Sequence, residues 1–216
     1  MAQPEIICLP NGPFAENCYI VADRGSADAV LVDPGDEAPL FLDRLADEGL
    51  TLRGVWLTHG HLDHVTGVGP VVERTGVPVW LHPADRHLYD AVPIQAATLL
   101  GMSVPAPPPP DHDLAAGDLM RVGKCTFEVR HVPGHSPGSV TFVGHGVALS
   151  GDVLFAGSVG RTDLPGGNAA TLLRSIREEL LTLPDDITIH AGHGPSTTVG
   201  AERTSNPFVT GLYRLV

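Results

Sequence analysis

The sequence predicts an α/β fold (α+β in the broader sense), and three observations carry that expectation. Apolar runs of strand length alternate with segments of helical period, the pattern of a sheet covered by helices on at least one face. Several of those runs are almost continuously apolar, as strands inside a layered domain are. The 216 residues, 43% hydrophobic and 18% charged, are enough to bury a core and have a globular composition, suiting one compact domain or two small ones.

The elements follow in order. "EIICLP" reads as a first strand, "NCYIVA" as a second after the turn-like "NGPFAE", and "AVLVDPG" as a third that stops at Pro34-Gly35. "DEAPLFLDRLADEG" spaces Leu40, Phe41, Leu45 and Leu50 near a helical period, with Gly49 as a stop. "LRGVWLT" is a buried-strand pattern, "GVGPVVERTG" a short helix and "VPVWLH" another strand. From Ala91 to Pro110 the pattern dissolves, and four consecutive prolines predict an extended excursion or loop. Strands then resume in "LMRVG", "CTFEVRHV", "SVTFVG" and "GVALSGD". "NAATLLRSIREELLTLP" is the clearest helix: Asn168 can cap it, and Leu172, Leu173, Ile176, Leu180 and Leu181 fall on one face. "ITIHAGHG" is a final strand leading into a glycine-flanked histidine. The two halves share an outline: strands, a histidine loop at a strand end, then a helix.

Charge narrows the function. Thirteen basic residues against 25 acidic ones, a net charge of −12, argue against nucleic-acid binding and against anionic membranes. No apolar run approaches the roughly 20 residues of a membrane span. The N-terminus has no basic segment followed by a long apolar one, so the expected compartment is the cytoplasm. Cys8, Cys18 and Cys125 form no CxxC pair and read as small buried hydrophobes without disulfides.

"THGHLDHVTG" carries the chemistry. A lone buried histidine is usually a satisfied core residue, but His59, His61, Asp63 and His64 fall within six positions directly after a strand. On a helix His59 and His61 would lie about 200° apart. In an extended segment they and Asp63 face one side, with His64 swinging across as a helix begins, and Gly60 lets the backbone bend between them. Imidazoles with carboxylates suit zinc, iron or manganese, and the lack of cysteine speaks against a purely structural zinc site. Further candidates stand in glycine-rich loops after strands: His135, Asp152 and His193. Seven such ligands divide naturally between two ions sharing one carboxylate, an arrangement that generates hydroxide and clamps a reacting oxygen.

These residues resemble the metallo-β-lactamase superfamily. H-x-H-x-D-H, then the histidine of "PGH", the aspartate of "GD" and "GHG" occur in that order, with "NCYIV" and "VDPG" upstream. The resemblance covers nearly the whole chain and implies one domain over residues 1–216, an αββα sandwich with metals at the sheet edges. It implies His59, His61 and His135 on a first metal, Asp63, His64 and His193 on a second, and Asp152 bridging. Two divalent ions are expected, zinc first, with iron or manganese as alternatives. "GSVGRTDLPGGN" and "GHGPSTTVGAERTSNPF" are most similar to short, bacterial glyoxalase II-like hydrolases of hydroxyacylglutathione thioesters. Full-length enzymes of that kind carry an added helical domain whose basic residues help to bind glutathione. Only 23 residues follow His193 here. "GRTD" also occurs in persulfide dioxygenases, which use a single iron, while the main zinc β-lactamases place a cysteine where Asp152 stands.

The expected reaction is attack of a metal-bridging hydroxide on a small-molecule thioester, with Asp63 and Asp152 as the catalytic carboxylates. A thiolate of conjugate-acid pKa about 8.5 leaves with little need of a proton, whereas an amine needs one. Arg161 either binds a substrate carboxylate or pairs with Asp163 or Glu202. His131 and His190 read as strand or supporting residues, His82 as a turn marker, and His87, His112 and His145 as loop histidines. Ser136 and Ser139 lack a nucleophile-elbow pattern. Three alternatives stand beside the thioesterase: hydrolysis of another activated ester or lactone, a mononuclear iron dioxygenase built on His59, His135 and Asp152, and a metal-stabilised binding module. Oligomeric state is not legible.

Overall fold

The computed structural model describes residues 3–214. Its first sheet runs β1 (Glu5–Asn11), β2 (Glu16–Asp23), β3 (Asp28–Val32), β4 (Thr51–Trp56), β5 (Val79–Leu81) and β6 (His112–Asp113), in that spatial order. β1 to β3 are antiparallel, and β3 to β6 are parallel. The parallel crossovers carry α1 (Ala38–Asp47), α2 (Leu62–Val65), α3 (Val68–Thr75), α4 (Arg86–Asp90) and α5 (Val92–Leu100).

The second sheet contains β7 (Leu119–Val122), β8 (Cys125–His131), β9 (Val140–Gly144) and β10 (Val147–Gly151), an antiparallel series. A two-stranded ribbon of β11 (Leu154–Phe155) and β12 (Ser158–Val159) and helix α6 (Ala169–Ser175) then lead to β13 (Thr188–Ala191), parallel to β10. β14 (Thr197–Thr198) and α7 (Val199–Ser205) close the fold.

Alternation along the strands builds four layers. In β2 and β3, Tyr19, Val21, Val30 and Val32 meet Phe127, Val129, Phe142 and Leu149 of the second sheet around Trp56. The intervening Cys18, Ile20, Ala22, Ala29 and Leu31 face Phe41 and Leu45 of α1 and Val68 and Val71 of α3. That double burial explains why "NCYIVA" reads as one unbroken apolar run. Leu172, Ile176 and Leu180 cover the outer face of the second sheet through Ile189 and Val199. The order is helices, sheet, sheet, helices, the αββα sandwich that the sequence resemblance implied.

Local expectations hold at α6, where Asn168 Oδ1 accepts from the Thr171 amide at 2.8 Å. Two readings need correction. Residues 91–110 are not all loop, because Val92–Leu100 is helix α5. Pro93 sits in its first turn, where no intrahelical donor is lost, and Gly101 ends it at φ 65°. Apolar residues surround that helix, so no periodic stripe marks it. Cys8 is exposed rather than buried, while Cys18 and Cys125 are buried, and all three are free.

Candidate metal centre

All seven expected donors gather at one edge of the sandwich, on loops that leave strand C-termini. β4 delivers His59 and His61, β8 delivers His135, β10 delivers Asp152 and β13 delivers His193. The extended-segment geometry holds for His59 and His61, but not for Asp63. Helix α2 begins at Leu62 with His61 as its extended N-cap, and it turns Asp63 away together with His64. Gly60 is required by crowding rather than bending: a Cβ there would stand 2.9 Å from the Asp85 carbonyl oxygen and 3.1 Å from the Tyr89 nitrogen.

Two triads result. In the first, His135 Nε2 lies 2.8 Å from His61 Nδ1 and 3.2 Å from His59 Nε2. In the second, His193 Nε2 lies 3.2 Å from Asp63 Oδ2, and His64 Nε2 lies 3.8 Å from it. Asp152 stands between them. Its Oδ1 is 3.4 Å from His64 Nε2, and its Oδ2 is 3.6 Å from His193 Nε2 and 3.8 Å from His135 Nε2. One carboxylate facing both sets is the bridging position.

The outer nitrogens decide what the inner ones present. Thr58 Oγ1 donates to Asp33 Oδ2 at 2.5 Å and therefore accepts from His59 Nδ1 at 3.0 Å. His135 Nδ1 donates to the Arg161 carbonyl at 2.9 Å, His64 Nδ1 to Asp33 Oδ2 at 3.0 Å, and His193 Nδ1 to the Phe14 carbonyl at 3.1 Å. Each leaves a lone pair on Nε2 pointing inward, the arrangement that metal-ligating histidines take. The buried His64 Nε2 and Asp152 Oδ1 have no protein partner. Buried polar atoms are normally satisfied, so these orphans and the four oriented imidazoles fit a pair of cations.

Electrostatics separates the triads. Burial, then the neighbouring imidazoles, push His59 well below the usual histidine range, and burial with His135 brings His61 down to about 3. Burial would lower His64 as well, but Asp152, Asp63 and Asp33 hold it well above that range. His193 is raised against its burial by Asp63 and Asp152. Burial would raise Asp152 and Asp63, yet the histidines, His64 foremost, hold both below the ordinary carboxylate range.

Five supporting residues were not singled out from the sequence. Asp33, in "VDPG", takes the Thr58 amide at 2.7 Å in addition to the Thr58 hydroxyl and His64. Asp85 is fully buried and joins the two loops of the first triad. Its carboxylate accepts from Gly60 N at 2.9 Å, Ser136 Oγ at 2.6 Å and Gly138 N at 2.5 Å. Glu16, pushed up chiefly by burial, takes Asn11 Nδ2 at 2.7 Å and approaches His64 Nδ1 at 3.6 Å. Asn17 and Tyr19 clasp β2 to the exit of β13: Asn17 Nδ2 donates to the Ala191 and Gly194 carbonyls at 3.0 and 2.9 Å, and Tyr19 Oη to Ala191 at 2.7 Å.

The lesser candidates also find places. Arg161 borders the cleft in front of the ligands, but Asp163 holds its guanidinium through two 2.7 Å bonds, and Glu202 is occupied elsewhere. His131 donates to the Pro137 carbonyl at 2.9 Å and stacks on His82 at 4.2 Å. His190 faces Ser196 Oγ at 2.9 Å. His87 and His112 are exposed, and His145 sits in a turn at φ 51°. Ser136 and Ser139 bond to each other at 2.7 Å beneath Asp85 and do not line the cleft.

The profile described as the Metallo-beta-lactamase superfamily matches residues 11–193, a span that contains every one of these donors. The chain belongs to the metallo-β-lactamase superfamily. Among members of this superfamily, it is 40% identical to the hydroxyacylglutathione hydrolase GloC of Haemophilus influenzae, over 93% of this chain and 96% of that one. It is 36% identical to the human mitochondrial persulfide dioxygenase ETHE1, over 89% of this chain and 70% of that one. Two solved structures share the fold closely. The BLEG-1 B3 metallo-β-lactamase has a TM-score of 0.90 at 40% identity, covering 96% of this chain and 100% of its own. TTHA1623 in a di-iron-bound form has a TM-score of 0.85 at 44% identity, covering 94% and 99%. The superfamily assignment makes the chain a metallo-hydrolase-type enzyme whose fold binds divalent metals.

Proposed function

We propose that this protein is a binuclear, metal-dependent thioester hydrolase of the hydroxyacylglutathione hydrolase type. The observation that carries the reading is the double triad: seven donors, with Asp152 between the sets and four histidines holding their protons outward. Zinc is the first expectation for both positions, and the di-iron state of TTHA1623 keeps iron in view. Such ions supply Lewis acidity and a water acidic enough to be deprotonated near neutral pH.

The chain's own groups account for the rest. Asp63 and Asp152, held ionised, would supply the negative charge that holds two cations. In the overall reaction the acyl carbon–sulfur bond breaks, a carbon–oxygen bond to water forms, and sulfur leaves as thiolate. The titratable groups lining the cleft are the metal donors and Arg161, so no free acid is at hand to protonate an amine. That favours a leaving group that needs no proton, hence a thioester or another activated ester or lactone. Partners on this reading are small molecules, with no nucleic acid or membrane, and the three free cysteines suit a reducing cytoplasm. Among the described residues no helix is long and apolar enough to cross a membrane.

Steady-state hydrolysis of S-lactoylglutathione by protein of measured metal content tests the proposal. A kcat/KM above about 10⁴ M⁻¹s⁻¹ supports it. A negligible rate with two metals per chain, for this and for simple thioesters, sinks it. A second reading has its own observation: His135 Nε2 stands 3.2 Å from His59 Nε2 and 3.8 Å from Asp152 Oδ2, which brings two imidazoles and a carboxylate, the donor types of a mononuclear iron site, into one neighbourhood. Oxygen uptake with glutathione persulfide on iron-loaded protein separates that dioxygenase from the hydrolase.

A further inference from the structure

The cleft in front of the metal donors has a volume of about 580 Å³, and its walls are largely hydrocarbon. Leu99 and Leu100 of α5, Phe14, Phe155 and Val159 of the β11–β12 ribbon, and Leu164 line it. Leu99 and Phe14 are 58% and 42% exposed, an unusual state for side chains of this size that stand beside a site. The polar groups among them are already engaged. Gln95 donates to the Leu88 carbonyl at 2.7 Å and accepts from the Leu62 amide at 3.2 Å. Arg161, the one guanidinium among the described lining residues, is held on both its Nε and Nη2 by Asp163. Beside the metal donors the cleft therefore offers a mostly apolar surface, with one guanidinium held in an exposed ion pair.

We infer that the substrate is a thioester with an uncharged, apolar arm that lies between α5 and the β11–β12 ribbon. The inference rests on the thioesterase reading of the metal centre and deepens it: the metals choose the bond, and the apolar walls choose the molecule. The hydrocarbon belongs either to the acyl group or to the thiol, because both ends of a thioester pass the same walls on leaving the centre. Leu99, on a helix whose outer face is solvent, acts as a specificity residue and touches no metal donor.

The test uses the full chain with two metals bound and measured. One series lengthens the acyl group from two to eight carbons on a fixed small uncharged thiol. The other keeps the acetyl group and lengthens an uncharged thiol. The expected result is a kcat/KM that rises about threefold to fourfold per methylene in at least one series, the value for hydrocarbon leaving water, mainly through KM. The series that rises identifies the arm. Thioether analogues with the same arms, which the enzyme cannot cleave, titrated calorimetrically into the same metal-loaded protein, show the same slope with a negative heat-capacity change. Leu99→Ser and, separately, Leu164→Ser flatten it, and the exposure of Leu99 keeps that variant folded. A flat dependence in both series with thioesters still cleaved, or a preference of more than tenfold for S-lactoylglutathione over the longest ester, overturns the apolar arm and leaves the thioesterase standing. Absence of hydrolysis for every thioester at full metal content overturns the thioesterase itself.

Discussion

The two triads use similar residues and differ in almost everything around them. His59, His61 and His135 are nearly sealed, at 1%, 6% and 1% exposure, whereas the His193 side chain is 28% exposed at the mouth of the cleft. The first triad is all imidazole, with His59 and His61 held neutral by burial; the second mixes a carboxylate with two histidines that hold protons more tightly than usual. Support differs as well, with Asp85 bracing the loops of the first and Asp33 orienting His64 in the second. The difference teaches that one fold edge can build an all-imidazole site and, a few ångströms away, a carboxylate-bearing one whose outer histidine opens onto the cleft.

The comparison breaks most severely at the shared residue. Asp152→Ala is expected to reduce kcat/KM by roughly 100-fold or more and to weaken both sites, since even outer partners of metal ligands cost 10–100-fold. Metal content after dialysis, beside the rate, checks this; retention of two tightly held ions shows that Asp152 does not bridge. Single-ligand variants come next. His193→Ala should keep close to one metal per chain, while His135→Ala should lose the tightly held one, and equal losses from the two variants would abolish the distinction between the sites.

Asp85→Ala leaves the Gly60 and Gly138 amides without an acceptor, at about 1–3 kcal/mol each. It should lower the melting temperature and weaken the first site by roughly 10–100-fold, with a smaller effect on the second. Competitive metal titration of the two sites measures the contrast. On acidification, His64 and His193 regain their protons first because their affinity for them is raised, whereas His61 stays neutral down to about 3. The second metal should therefore leave at higher pH than the first, in two steps of metal release followed by a chelating dye. A single step counters this. The smallest effect is expected from Arg161→Ala, because an exposed ion pair contributes about 0–1 kcal/mol. Its melting curve should overlay that of the parent protein.

The ligands were legible because metal chemistry concentrates unusual residues at short spacing, and "HGHLDH" has few other uses. The strands were legible for a related reason: β2 is buried on both faces, and unbroken apolarity is hard to hide. What escaped acts across the fold. Asp33 reaches Thr58 over 25 positions, and Asp85 reaches Ser136 over 51, so each looks locally like an ordinary acidic residue near a turn. Asp63 was misplaced because α2 starts at Leu62, two residues before the expected helix start at His64. Helix α5 was missed for the opposite reason from β2. Its apolar residues face solvent as well as core, and a helix without a polar face has no stripe to read.

The clasp of Asn17 and Tyr19 onto the exit of β13 joins residues 172 to 177 positions apart. During synthesis this places a lower bound on when the enzyme can begin to exist. A nascent chain that has passed its histidine cluster owns two ligands of the first triad but waits for His135, and the second triad waits for the exit of β13. Metal captured earlier would sit on an unfinished, mobile peptide. The centre is therefore assembled last, and its loading registers that both sheets have met.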